Sequence, residues 1–315
     1  MQVFVVGNIV IDETYSVDRI PVEGESVLGG KVSSDLGGKA TNQAVILGRC
    51  GIPTTLIAGV GADAQAARIR SRIAVEPVSA RLIEINGRAS DTSIVLTDGQ
   101  GANAIVTTVD CARSLPFESV TASMTYAAAG DLAMLQGNLS LSSTSRIIEF
   151  ARGRGMIVAL NPSPFEAGIE RLMPGLDILF LNQHEARLII AKDGEAAVQE
   201  LLDMGIGTVV LTLGERGALL GNREGIVAVP AHACDVVDGT GAGDTLQSVA
   251  IASSLLRKTT LDVRALEVAA QAAALTISRP GTADAFPTEL ELSHLLDSAT
   301  LAGNAGNEGE AAVST

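Results

Sequence analysis

One stretch of this chain combines carboxylates, glycines and a helix start: Asp235-Val236-Val237-Asp238-Gly239-Thr240-Gly241-Ala242-Gly243-Asp244-Thr245. An apolar strand runs into glycines, and a helix is predicted over 241–257. Backbone N–H groups at a helix start have no intrahelical partner, and the helix dipole there favours negative charge. Small residues at Gly241, Ala242 and Gly243 let an oxyanion approach those amides. Asp244 stands beside them. A carboxylate next to an anion cradle suits removal of a proton from a hydroxyl that attacks a phosphoryl group, with the amides stabilising the charge that moves. The same residues also fit a plain helix entry in which an aspartate caps a glycine turn. On this segment alone both readings stand.

Other segments carry related chemistry. Leu36-Gly37-Gly38-Lys39-Ala40-Thr41-Asn42-Gln43-Ala44 puts two glycines before a helix, with Lys39 and Asn42 as donors for hydroxyl oxygens. It is not a Walker loop, because Ser33 stands six residues before Lys39 and Ala40 replaces the Mg²⁺-holding Ser or Thr. A tight turn with a surface lysine is the plainer alternative. Asn182-Gln183-His184-Glu185 follows an apolar strand and reads by itself as a capping box. Thr212-Leu213-Gly214-Glu215-Arg216-Gly217 reads as a strand end followed by a hairpin. Asp12 could accept from two neighbouring hydroxyls, as a polyol offers, or be an exposed loop charge.

Taken together and in order, these segments resemble the ribokinase family of carbohydrate kinases over about residues 3 to 290. That resemblance makes Asp244 the catalytic base and the amides of Gly241, Ala242 and Gly243 the anion hole. It makes Asp12, Gly38, Lys39 and Asn42 substrate-binding, and it puts Thr212, Gly214 and Gly217 beside the nucleotide. Asn182 and Glu185 match the family's Asn-x-x-Glu motif, which implies a role for Asn182 at the nucleotide phosphates and for Glu185 at Mg²⁺ through water. Asn161, in Leu160-Asn161-Pro162-Ser163-Pro164, falls at the substrate edge. Ser278-Arg279-Pro280-Gly281-Thr282-Ala283 resembles a loop that binds a monovalent cation, K⁺, with Asp238 as its acidic partner. The implied cofactors are ATP and Mg²⁺ with K⁺ in addition, and the implied assembly is a homodimer paired through the lid. Two positions depart from ribokinases: Val10 stands where they have Asn, and Asn138 where they have a sugar-contacting Glu. The expected activity is transfer of the ATP γ-phosphate to a primary hydroxyl of a sugar or polyol, with the sugar open. A nucleoside kinase and a non-catalytic sensor are the alternatives. The first is weakened by Tyr15 being the one aromatic residue in the predicted lid.

These residues need a scaffold. Strands are expected at Val3–Val6, Thr54–Val60, Leu132–Leu135, Met156–Leu160, Ile178–Leu181 and Val209–Leu213. Helices are expected at 40–50, 63–74, 142–153, 184–191, 195–204, 262–278 and 288–298. Alternating strands and helices imply an α/β fold, a mostly parallel central sheet with helices on both faces. Residues 12–35 and 81–108 read instead as β excursions with hairpin turns at Asn86-Gly87 and Asp98-Gly99, forming a small lid sheet. The expected division is a core of 1–11, 36–80 and 109–302, a lid of 12–35 and 81–108, and a disordered tail of 303–315. Gly217–Val229 reads as a hairpin-like pair. Gly7-Asn8-Ile9 lacks the Gly-x-Gly-x-x-Gly of a dinucleotide fold.

Composition agrees. Of the 315 residues 47% are hydrophobic and 18% charged, enough for an aliphatic core without Trp. A net charge of −14 argues against a nucleic-acid surface, which needs a basic face. Three scattered cysteines suggest reduced thiols, and no segment reaches membrane-spanning length, so a cytoplasmic enzyme is expected.

Overall fold

Alternate residues of Val3–Gly7 (β1) enter two different cores. Val3 and Val5 pack on one side of the strand, Phe4 and Val6 on the other. A strand apolar on both sides must be covered on both sides, and that requirement builds three layers. The computed structural model describes residues 1–98 and 103–298.

In chain order the elements are β1, β2 (Val10–Val17), β3 (Gly29–Gly37), α1 (Lys39–Arg49), β4 (Thr54–Val60), α2 (Ala64–Ile73), β5 (Ser79–Glu84), β6 (Thr92–Asp98) and β7 (Asn103–Thr107). Two short helices, α3 (Asp110–Arg113) and α4 (Phe117–Ser123), precede β8 (Leu132–Gln136), α5 (Leu141–Gly153), β9 (Ile157–Asn161), β10 (Ile178–Asn182), α6 (Gln183–Ile190) and α7 (Gly194–Asp203). The chain then forms β11 (Thr208–Thr212), β12 (Ala218–Asn222), β13 (Gly225–Val229), α8 (Ala242–Arg257), α9 (Val263–Ile277) and a last helix, α10, over 289–298.

The large sheet has nine strands in the order β13-β12-β11-β10-β9-β8-β1-β4-β5. It is parallel from β11 to β5, and the hairpin β12–β13 adds two antiparallel strands at one end. One face is covered by α1, α2, α8, α9 and α10, the other by α3 to α7. A four-stranded sheet, β3-β2-β6-β7, stands apart from it.

The structure corrects three expectations. Residues 81–84 are not lid: they lie in β5, which pairs in parallel with β4 at the edge of the large sheet (Ile57 with Arg81, Val60 with Glu84). The reason is packing. Leu82 joins one core and Ile83 with Ile85 the other, the mark of a strand covered on both faces. Asn86-Gly87 is a turn, but not a hairpin, because β5 and β6 belong to different sheets and β6 pairs in parallel with β2. The lid strands also reach two residues further than expected, β2 from Val10 and β3 to Gly37. The short α3 and α4 were not foreseen. The Gly99 half of the Asp98-Gly99 turn and the 303–315 tail lie outside the described residues. Among those described, no helix is long and apolar enough to cross a membrane.

Candidate active site

Gly241 is the N-cap of α8, with φ of 80°, and no side chain caps the helix. Its left-handed backbone favours glycine, and so does its neighbour: a Cβ there would lie 2.5 Å from Cε1 of Phe286. The next amides, from Ala242 to Asp244, lie in the first turn, where the helix offers no acceptor. Asp244 is 5% exposed and does not cap its helix. Its Oδ2 accepts from Nδ2 of Asn42 at 3.0 Å and its Oδ1 from Nε2 of Gln43 at 2.9 Å. Gln43 is oriented in turn, because its Oε1 accepts from Nε2 of Gln136 at 2.6 Å. The carboxylate is thus fixed by an amide chain running from β8 through α1 to α8.

On one side of Gly241 opens a cleft of about 550 Å³, lined by Asp12, Gly38, Lys39, Asn42, Asn138, Gly241 and Asp244, with Val10, Ser93 and Thr282 among the others. Gly38 has φ of 98°, and a Cβ on it would press on the carbonyl of Asn8. Asp12 is 8% exposed. Burial raises its pKa to about 6; hydrogen bonds from Ser93 and Thr282 oppose the shift, while the charges of Asp35 and Asp244 add to it. Asn138 is also buried, and its Oδ1 has no partner. A buried acceptor left open at a cleft wall is ready for a ligand hydroxyl.

On the other side lies a cavity of about 190 Å³. Thr212, Gly214, Gly217, Ala242 and Gly243 line it together with His232 and a mainly aliphatic set that includes Val229, Leu246, Leu266 and Ala270. Gly217 has φ of 85°, and a Cβ there would lie 2.0 Å from the carbonyl of Val229, so the backbone itself shapes this wall.

The remaining expected residues stand outside both spaces. Asn182 and Glu185 form a complete capping box on α6, each side chain bonded to the other's backbone amide at 2.8 Å. Asn182 pairs with Thr212 at the end of β10, so the box sits beside the aliphatic cavity. Asp238 accepts from the amides of Thr240 at 2.9 Å and Gly281 at 3.4 Å, which ties it to the 278–283 loop. Asn161 donates from Nδ2 to the carbonyl of Phe180 and lines neither space. The sequence reading missed Gln43, Gln136, Ser93 and Phe286. Gln136 was visible as an amide closing the apolar run Leu132-Ala133-Met134-Leu135, and such a residue in a fully buried strand must find a buried partner.

A fixed carboxylate and a helix-start amide cluster, with a polar cleft before them and an aliphatic cavity behind, define a phosphotransferase with an alcohol group as acceptor. The chain belongs to the pfkB family carbohydrate kinases, whose model matches residues 1–289. It is 26% identical over 302 residues to a ribokinase from Haemophilus influenzae, covering 94% of this chain and 98% of that protein. Among solved structures it matches an Arabidopsis thaliana ribokinase complexed with ribose and ATP, at 22% identity and a TM-score of 0.79, covering 94% and 98% of the two chains. It also matches a putative ribokinase II from E. coli in complex with ATP and Mg²⁺, at 19% identity and a TM-score of 0.80, covering 94% and 99%. The fold is ribokinase-like, and the protein is a sugar kinase.

Proposed function

We propose that this kinase transfers the γ-phosphoryl group of ATP to a primary hydroxyl of a ribose-like sugar or polyol. The observation that carries the reading is that one helix start borders both spaces: Gly241 and Asp244 line the polar cleft, Ala242 and Gly243 the aliphatic cavity. The sugar lies in the cleft, with Asp12 accepting from two of its hydroxyls and Lys39, Asn42, Asn138 and the Gly38 backbone fixing the rest. The nucleotide lies against Thr212, Gly214 and Gly217. Asp244 takes the proton as the sugar oxygen forms its bond to the γ-phosphorus, and ADP departs. The amides of Gly241, Ala242 and Gly243 hold the charge on the transferred group.

Mg²⁺ fits the donors present. Among the described residues no three acidic, His or Cys side chains gather as a metal cage. One carboxylate, Glu185, beside Asn182 suits a cation that keeps its waters and takes its other ligands from phosphate. Asn182 and Glu185 would hold Mg²⁺ there, and its charge would offset that of the phosphates. Asp238 and the 278–283 loop are the proposed site for K⁺, and turnover in K⁺ against turnover in a bulky organic cation tests it. A homodimer through the smaller sheet is supported by exposed Val32, Ile94 and Val106 on it, and light scattering tests that. Use of ATP and three unpaired cysteines support a cytoplasmic location.

The deciding experiment is ADP release with ATP over pentoses, hexoses, polyols and nucleosides. A pentose or related sugar is expected to give the highest kcat/KM, and a panel without turnover would remove the reading. In Asp244→Asn kcat should fall by about 10²–10⁴-fold. Nucleotide affinity should be retained. Near wild-type turnover from that variant would defeat the assignment of the base.

A further inference from the structure

The segment that follows α9 meets the site at three points. The amide of Gly281 donates to Oδ2 of Asp238 at 3.4 Å. Thr282, 5% exposed, lines the cleft beside Asp12 and favours the charged form of its carboxylate. The ring of Phe286, 1% exposed, fills the space where a side chain on Gly241 would stand. One stretch of chain therefore touches the acid in the cleft, the acid before the amide cluster, and the glycine that starts that cluster.

Two ion pairs hold this stretch. Arg279 and Glu291 close it on itself, Nη2 to Oε1 at 2.5 Å. The second pair lines neither cavity of the site. Arg49, the last residue of α1, grips Glu76 in two-pronged fashion, Nε to Oε2 at 3.0 Å and Nη2 to Oε1 at 2.7 Å. Its remaining nitrogen, Nη1, donates to the main-chain carbonyls of Phe286 at 3.3 Å and of Ala283 and Pro287 at 3.5 Å. Both partners are mostly buried, with side chains 16% and 14% exposed. A planar guanidinium can hold a carboxylate on one edge and carbonyls on another, which an ammonium cannot do in the same geometry. The first turn of α1 carries Lys39 and Asn42 into the cleft. The same helix thus presents cleft-lining donors at one end and braces the loop at the other.

We propose that Arg49, held by Glu76, is a positioning residue for phosphoryl transfer: it sets Phe286 against Gly241 and Thr282 against Asp12 without touching either substrate. Its kinetic consequence rests on the function proposed above. Its structural consequence, a coupling from α1 through the loop to the start of α8, does not.

The test uses the full chain with Arg49→Met, Arg49→Lys and Glu76→Gln. It measures kcat and both KM values on a sugar the wild type phosphorylates, with melting temperature and amide hydrogen exchange alongside. In Arg49→Met we expect kcat per folded molecule to fall by roughly 10–100-fold, the size that a small misplacement of reacting groups produces. The KM for ATP should stay within about threefold, because most of the aliphatic cavity's wall comes from β11 to β13 and α9, which Arg49 does not touch. Exchange should quicken in 238–245 together with 280–287. Arg49→Lys and Glu76→Gln should lose less, and they carry the test if Arg49→Met does not fold. Phe286→Leu should cost less on top of Arg49→Met than alone, whereas losses that simply multiply would overturn the route through Phe286. A lowered melting temperature with kcat within twofold of wild type and unchanged exchange at 238–245 would overturn the proposal. If the wild type phosphorylates no sugar, the functional reading fails, and the exchange comparison still decides this one.

Discussion

The two spaces that meet at the start of α8 are built from opposite materials. The sugar side is walled by groups that are costly to bury: an acid with its pKa raised to about 6, an amide oxygen without a partner, and a half-buried lysine. The proposed nucleotide side is walled mainly by glycine, alanine and aliphatic side chains, with Thr212 and His232 among them, and at Gly217 the backbone itself forms the wall. The first wall discriminates, because a wrong ligand leaves its polar groups desolvated and unpaired. The second mainly has to fit a flat apolar surface, and small residues do that. On the proposed assignment, identity of the acceptor is therefore written in a few polar side chains, and acceptance of the nucleotide in a mainly apolar wall.

Substitutions can break this contrast. Gly241→Ala strikes the border between the spaces, through both φ and the Phe286 ring. It should lower kcat by about 10²-fold, the effect of losing an oxyanion donor, while both KM values move little. Steady-state kinetics check it; a change confined to one KM would place Gly241 in one space and not between them. Asp12→Asn should raise the sugar KM by about 10–100-fold and leave the ATP KM alone. In the wild type the sugar KM should rise as pH falls through about 6, where Asp12 takes up its proton, and Asp12→Asn should flatten that profile. The linked stability effect has the opposite sign to the usual carboxylate. A folded pKa above 3.8 means stability is greatest below pH 4 and declines as pH rises towards 6, by about 3 kcal/mol from this group. Denaturant titrations of wild type and Asp12→Asn at the two ends of that window check it. Ala270→Leu pushes a side chain into the aliphatic cavity and should raise the ATP KM by roughly tenfold with the sugar KM unchanged. The smallest effect is expected at Asn138. Its replacement by Ala should raise the sugar KM by about fivefold, the loss of one neutral hydrogen bond. An equal effect of Asn138→Ala on both KM values would blur the distinction between the two walls.

Much of this arrangement was legible from sequence because it depends on local order. Glycines before a helix mark free amides wherever they occur, and continuous apolar runs separated by helical ones set out the parallel sheet. What was not legible depends on contacts between distant segments. The buried bond between Asn42 and Asp244 spans 202 residues, and that between Gln136 and Gln43 spans 93. No local pattern links them. Asn182 and Glu185 illustrate a double use: one spacing specifies the capping box that the side chains form and also suits the proposed phosphate and metal site, and local order alone does not separate the two. Leu82 and Ile83 were assigned to the lid because alternation was expected to continue through them. Two adjacent apolar residues instead meant burial on both faces, which drew β5 into the large sheet.

The small sheet has a seam with practical weight. Its two inner strands, β2 and β6, come from separate excursions of the chain and run side by side from Ile11 with Thr92 to Val17 with Asp98. Asp12 and Ser93 face each other across that seam and both border the cleft. Acceptor preference therefore cannot be transplanted from a relative as one contiguous cassette. A graft has to exchange both excursions together, because either one alone leaves half a sheet without its matching edge and half a binding surface without its counterpart.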